Sequence, residues 1–351
     1  MSDPGPSVML RTSPHLRVSP PVNVIMRNVV YALLPVCAFS IYQFGISVLA
    51  LIIVCTATCV LSEHLLAKVS GKETPIGDWS AVITGILLAL CLPPGFPLWM
   101  GAVASFAGIG LGKMFFGGLG FNVMNPALLG RAFAQASFTV PITTWTPYMV
   151  ENRFTEFIPS TLTLPFLKPN PVKDWIAQVA PDGFSGATPL AIMKFDHAST
   201  DSLELLLGTT AGSAGETSAI LILICGLYLA ARRMMDWRIT FSVLVTAGGI
   251  SGLFYLLNPA VYPDPIFTIC SGGLMLGAVF MATDMVASPV TPAGVWIYGA
   301  LIGFITVIIR LFGGLNEGVM YAILLANACS PLISLLTQPR IYGASKPKEA
   351  A

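Results

Sequence analysis

Apolar runs of the length that crosses a bilayer, about 20 residues, follow one another along nearly the whole of this chain, and one long polar stretch interrupts them. Lipid is the solvent that such a pattern fits. The residue balance agrees: 55% of the 351 residues are hydrophobic and 10% charged, with a mean hydropathy of +0.78, whereas soluble domains carry roughly 25% charged residues. The chain reads as an all-α integral membrane protein embedded in the lipid bilayer. Its spans are expected at 27–44, 46–66, 79–92, 97–116 and 122–138, then at 217–231, 239–257, 266–287, 293–312 and 319–337.

These ten segments divide the chain into an N-terminal segment 1–26, a first five-helix unit 27–138, a loop 139–216, a second unit 217–337 and a tail 338–351. The N-terminal segment holds five prolines and no apolar core, so no cleavable signal is expected. The loop carries eight prolines between Pro141 and Pro189 and eight of the 17 acidic side chains, and is expected to fold outside the membrane; loops of that length are usually functional.

The two units resemble each other. Leu92-Pro93-Pro94-Gly95 is matched by Ser288-Pro289-Val290-Thr291-Pro292, and Gly117-Gly118-Leu119 by Gly313-Gly314-Leu315, with both pairs 196 residues apart. An odd number of spans per unit turns the second copy over, which predicts inverted repeats. Basic clusters at Arg11, Arg17 and Arg27, at Lys68 and Lys72, at Arg232, Arg233 and Arg238, and at Arg340, Lys346 and Lys348 all fall on one side of the ten-span plan. The positive-inside rule makes that side cytoplasmic, with both termini inside and the 139–216 loop outside. Arg131 and Arg310 fit less neatly. The prolines at matching breaks point either to a central binding site or pathway or to kinks that serve packing.

Several classes are excluded or disfavoured. A net charge of +1 without a basic cluster argues against nucleic acid. The seven cysteines lie in apolar runs without Cys-x-x-Cys spacing, and the three histidines are scattered, so no metal site is expected. The Gly-rich stretch 108–120 follows no strand and reads as close helix packing rather than a phosphate loop. In the outer loop, Asp182-Gly183-Phe184-Ser185-Gly186-Ala187-Thr188-Pro189 reads on pattern alone as a turn with an exposed threonine.

That segment carries a resemblance. Ser185-Gly186-Ala187-Thr188, together with Gly117-Gly118-Leu119-Gly120-Phe121-Asn122-Val123-Met124-Asn125-Pro126-Ala127 and Gly277-Ala278-Val279-Phe280-Met281-Ala282-Thr283-Asp284, is similar to the motifs of the RnfD and NqrB family. These are membrane subunits of the Rnf complex and of the Na⁺-translocating NADH:quinone reductase. The resemblance runs along essentially the whole chain, and the short N-terminal segment favours the RnfD branch. It implies FMN bound to Thr188 through a phosphoester, placed there by a flavin transferase, with Asp182, Ser185, Gly186 and Ala187 around it. It also implies a urea-transporter-like fold of two inverted five-helix repeats and a noncovalent riboflavin within the bundle. Implied too are a bacterial inner-membrane location and partner subunits of an Rnf complex, among them a second flavoprotein and iron–sulfur subunits.

The remaining candidates are ionisable or amide side chains in apolar surroundings. Asp284 is a candidate ion or flavin contact, or a carboxylate satisfied by helix-end backbone. Asn122, Asn125 and Asn327 are candidates to line a pathway, although buried Asn also serves to join helices. Glu63 and Asp78 are expected to flank the cytoplasmic surface. The function expected is an electron-transfer subunit of an ion-translocating ferredoxin:NAD⁺ oxidoreductase, without a catalytic side chain of its own. A channel for a small neutral solute and a purely structural anchor stand as the other readings.

Overall fold

The computed structural model describes residues 21–71, 76–169, 172–179, 187–196, 198, 200–216, 218–259 and 261–339. Among them there is no strand, and a helix occurs at each expected span. Five helices are long and apolar enough to cross a membrane: α1 (Val22–Phe44), α2 (Ile46–Val69), α11 (Trp237–Leu257), α14 (Pro292–Phe312) and α15 (Val319–Leu336). The chain is a multi-pass membrane protein.

The other expected spans are shorter. α3 (Ser80–Cys91) and α5 (Pro126–Ser137) have 12 residues each, which at 1.5 Å per residue is about 18 Å, well under the roughly 30 Å of hydrocarbon. α4 (Leu98–Ile109) continues through a π-helical turn, Gly110–Met114, and α10 (Ala219–Ala231) has 13 residues. Two expectations are corrected. Helix in 122–138 begins only at Pro126, because Asn125 caps it, accepting from the Ala127 and Leu128 amides, and Pro126 is preorganised for the first position. The segment 266–287 is not one span: α12 (Pro265–Cys270) stops at Ser271, α13 (Leu274–Leu276) follows, and a second π-helical turn, Gly277–Met281, closes it.

Of the glycines of 108–120, Gly108 and Gly112 serve the expected close packing, whereas Gly117, Gly118 and Gly120 lie beyond the helix in turns of positive φ. A methyl group on Gly108 would stand 2.7 Å from the Pro126 carbonyl, and one on Gly112 2.9 Å from Pro126 Cα. Five cysteines are buried, with Cys270 and Cys329 less so, in keeping with their reading as small core residues.

Four shorter helices lie in the loop: α6 (Thr139–Ile142), α7 (Val172–Val179), α8 (Pro189–Asp196) and α9 (Ser202–Leu207). Its last stretch does not stay outside the bundle. Ala214 N–H donates to Leu92 O and Gly215 N–H to Leu90 O, at 3.0 and 2.6 Å, where the break after α3 has freed carbonyls. Ser40 Oγ of α1 holds Ala214 O, and Gln43 Nε2 holds Gly208 O. The helix break thus survives because another segment supplies its missing donors.

Candidate functional site

Helix ends converge at two cavities on opposite ends of the bundle, with a buried charge cluster between them. The first cavity is lined by the starts of α1, α3 and α5, the ends of α4 and α10, and residues 279–286. Asn122, Asn125 and Asp284 all face it, so three of the four pathway candidates meet there. Asn122 is buried, and its Oδ1 has no hydrogen-bond partner among the described residues, an acceptor awaiting a donor. Asn125 is occupied as the cap of α5 and donates from Nδ2 to Met281 O at 3.3 Å. Asp284 stands in the turn after the π-helical segment, rather than inside a helix, and its Oδ1 accepts from the Val286 amide at 3.1 Å.

The fourth candidate is elsewhere. Asn327 is 1% exposed and accepts a hydrogen bond from the Tyr298 hydroxyl, joining α14 to α15; it does not line this cavity.

Lys113, which the sequence reading passed over, is the cation of the first cavity. It is 2% exposed, forms an ion pair with the equally buried Glu63, donates to Ser80 Oγ and lies 3.8 Å from Asp78 Oδ2. Ser80 Oγ in turn donates to Asp78 Oδ1 at 2.6 Å. Glu63 is therefore not a surface carboxylate. The π-helical turn that ends α4 swings Lys113 inward, where burial is tolerable only with such partners.

The central cluster explains the two arginines that broke the charge pattern. Arg131 of α5 forms an ion pair with Glu317, whose Oε1 also accepts from the Gly273 amide at 3.0 Å. A methyl group built on Gly273 would lie 3.9 Å from Arg131, 3.6 Å from Glu317 and 4.0 Å from Glu216, so these groups share one small space. Arg310 of α14 points its guanidinium at the α12 break, donating to Thr268 O at 2.7 Å and Ser271 O at 3.0 Å. Both arginines are buried in protein, so neither marks a membrane face.

The second cavity lies between α8, the end of α11, α12 and the end of α14. Thr188 caps α8: Ala191 N–H donates to its Oγ1 at 3.3 Å. It is 6% exposed, which corrects the exposed threonine of the sequence reading. The cause is the docking of α8, whose Leu190 and Met193 form a small core with Leu205 and Phe267. Lys194 anchors the other end of α8 by donating to Gly313 O and to Leu315 O, the latter at 2.9 Å. Partial burial lowers the pKa of its ammonium from the usual value. Asp182, Ser185 and Gly186 lie outside the described residues; Ala187 directly precedes Thr188.

The arrangement suits a phosphoester. Thr188 is the hydroxyl at the N-terminus of an eight-residue helix, where the positive end of the helix dipole favours phosphate oxygens; Pro189 has no N–H, and the Ala191 and Ile192 amides are engaged by the Thr188 carbonyl.

Comparison with known proteins now decides the family. Residues 9–343 match the model of the NQR2, RnfD, RnfE family. The chain belongs to this family. It is 41% identical over 349 residues, 98% of each chain, to the D subunit of the Na(+)-translocating ferredoxin:NAD(+) oxidoreductase complex of Acetobacterium woodii. It is 38% identical over 345 residues, 95% of this chain and 96% of the relative, to the D subunit of the proton-translocating ferredoxin:NAD(+) oxidoreductase complex of Clostridium ljungdahlii. To the D subunit of the ion-translocating oxidoreductase complex of Alcanivorax borkumensis it is 35% identical over 349 residues, 96% of this chain and 97% of the relative. In this NQR2, RnfD, RnfE family member, the motif segments 117–127 and 277–284 contribute to the lining of the first cavity, and Thr188 caps α8 beside the second.

Proposed function

We propose that the chain is the RnfD subunit of an Rnf-type ion-translocating ferredoxin:NAD⁺ oxidoreductase, carrying electrons through FMN attached at Thr188. Near full-length similarity to D subunits of such complexes supports the reading, and the observation that carries the flavin part is Thr188 at the head of α8. FMN supplies the electron chemistry; this chain holds it and sets its surroundings. Thr188 provides the ester oxygen, the positive end of the α8 dipole faces the phosphate, and the packed face of α8 fixes the arm. A flavin transferase installs the group, and the other subunits, including a flavoprotein and iron–sulfur proteins, deliver and remove electrons.

The helices are taken to form two inverted five-helix repeats in a bacterial inner membrane, with both termini cytoplasmic and α8 on the outer side. The first cavity then faces inward, and Asn122 Oδ1 fits an N–H donor there, the requirement of a noncovalent riboflavin; ion coupling at Asp284 is the other use of the same space. The transported ion stays open between Na⁺ and H⁺, since relatives at 41% and 38% identity are named for different ones. A neutral-solute channel is disfavoured, because the Arg131–Glu317 pair occupies the bundle centre. The NQR-type subunit remains the nearest alternative within the family.

Mass spectrometry of the subunit, made alongside a competent flavin transferase, tests the reading. An FMN-sized mass on the peptide containing residues 182–189 is expected, and its absence would remove the redox function. A second test concerns Asp284. Asp284→Ala is expected to preserve assembly while slowing ion-coupled ferredoxin:NAD⁺ turnover by on the order of tenfold, about 1.4 kcal/mol of barrier, and Asp284→Asn, which keeps the Val286 turn, should do the same. If proteoliposomes carrying either variant couple normally, Asp284 is only a turn residue.

A further inference from the structure

The second cavity contains a cation that the protein leaves incompletely satisfied. Arg310 is 6% exposed, lines the cavity, and its Nε has no hydrogen-bond partner among the described residues. Its two terminal nitrogens meet backbone carbonyls, not a carboxylate. Glu317 is engaged by Arg131 and by the Gly273 amide. Among the described residues Arg310 has no ion pair. A guanidinium held this way in a low-dielectric setting favours any negative charge that arrives beside it. The other cation of the cavity, Lys194, is spent on the carbonyls after α14.

The walls suit a flat, largely apolar body. Leu190 and Met193 come from α8, Phe267 from α12, and Val307 and Leu311 from α14. Apolar walls with a few convergent polar groups are the usual lining of a cofactor site. The cavity continues into a second hollow that shares Met193, Tyr262, Pro263 and Phe267 and ends at Asp201 and Asp264. The trough therefore has a basic inner end and an acidic mouth. α8, whose cap is Thr188, forms one of its walls.

We propose that this trough receives the isoalloxazine ring of the flavin on Thr188, and that Arg310 is the group that favours the ring's reduced form. The inference rests on the reading of Thr188 as the attachment residue. The reduced ring, richer by two electrons and one proton, carries one negative charge, and the oxidised ring carries none. A fixed cation beside it therefore raises the potential, while the acidic mouth gives no help to a negative ring placed outward. Arg310 acts through its charge and is a positioning and tuning residue; it transfers nothing.

The test is a reductive titration of the covalent flavin in the purified complex, followed by absorbance, for wild type, Arg310→Gln and Arg310→Lys. Arg310→Gln is expected to keep FMN on Thr188 by mass and to lower its midpoint potential, by about 30 mV for each tenfold loss of preference for the reduced form. Arg310→Lys should restore most of the shift. Because Arg310 also braces the α12 break, Met193→Trp gives an independent arm: filling the trough should push the ring out and increase iodide quenching of its fluorescence. Covalent flavin with unchanged potential in Arg310→Gln and unchanged quenching in Met193→Trp overturns the inference and leaves Thr188 as the attachment site. Absence of flavin from Thr188 in wild type overturns both.

Discussion

Thr188→Val is expected to abolish covalent flavin completely while the protein still inserts and assembles. Valine keeps the shape of threonine in the buried site but removes the ester oxygen. It also removes the acceptor for the Ala191 amide, and loss of such a cap costs about 1 kcal/mol, enough to loosen one turn of α8 but not the bundle. Thr188→Asn separates the two effects, since asparagine caps a helix well and offers no hydroxyl for the phosphoester. Both variants should lack in-gel flavin fluorescence, and only Thr188→Val should show faster proteolysis near α8. Covalent flavin persisting in either variant would move the attachment to another residue.

Removal of one partner from the central ion pair is expected to have the largest effect on stability. Arg131→Gln leaves Glu317 buried against Glu216 without its guanidinium, and breaking a buried pair in this way costs about 3–5 kcal/mol. Glu317→Gln should cost a comparable amount. The double variant Arg131→Met, Glu317→Leu should recover part of the loss, because neither charge is then stranded. Thermal unfolding in detergent, together with the yield of assembled complex, reads the difference. A single variant as stable as wild type would mean that water reaches the cluster and that the pair does not hold α5 to the loop before α15.

Much of the fold was legible because lipid leaves little choice: most apolar runs became helices near their expected bounds, while 122–138 starts late and 266–287 is broken. What the runs did not disclose is which helices stop halfway. Pro93-Pro94 advertised one stop, and Asn125-Pro126 carried a signal of the same strength, a cap followed by a first-turn proline, inside a run that looked continuous. Lys113 was equally readable as an ionisable residue within an apolar stretch. The cluster of Glu216, Glu317, Arg131 and Arg310 was legible only as two arginines out of place. Its acids sit beside span ends, where a sequence cannot distinguish a loop that leaves the bundle from one that dips into it. Thr188 was recognised through resemblance, but its burial depends on where α8 docks, a tertiary matter that no local pattern encodes.

The backbone bonds from Ala214 and Gly215 to the carbonyls of Leu92 and Leu90 also bear on the order of synthesis. When the first half of the chain leaves the ribosome, those two carbonyls have no donor, and none exists until residues 214 and 215 have been made. The amino-terminal half cannot reach its final state as an independent insertion unit.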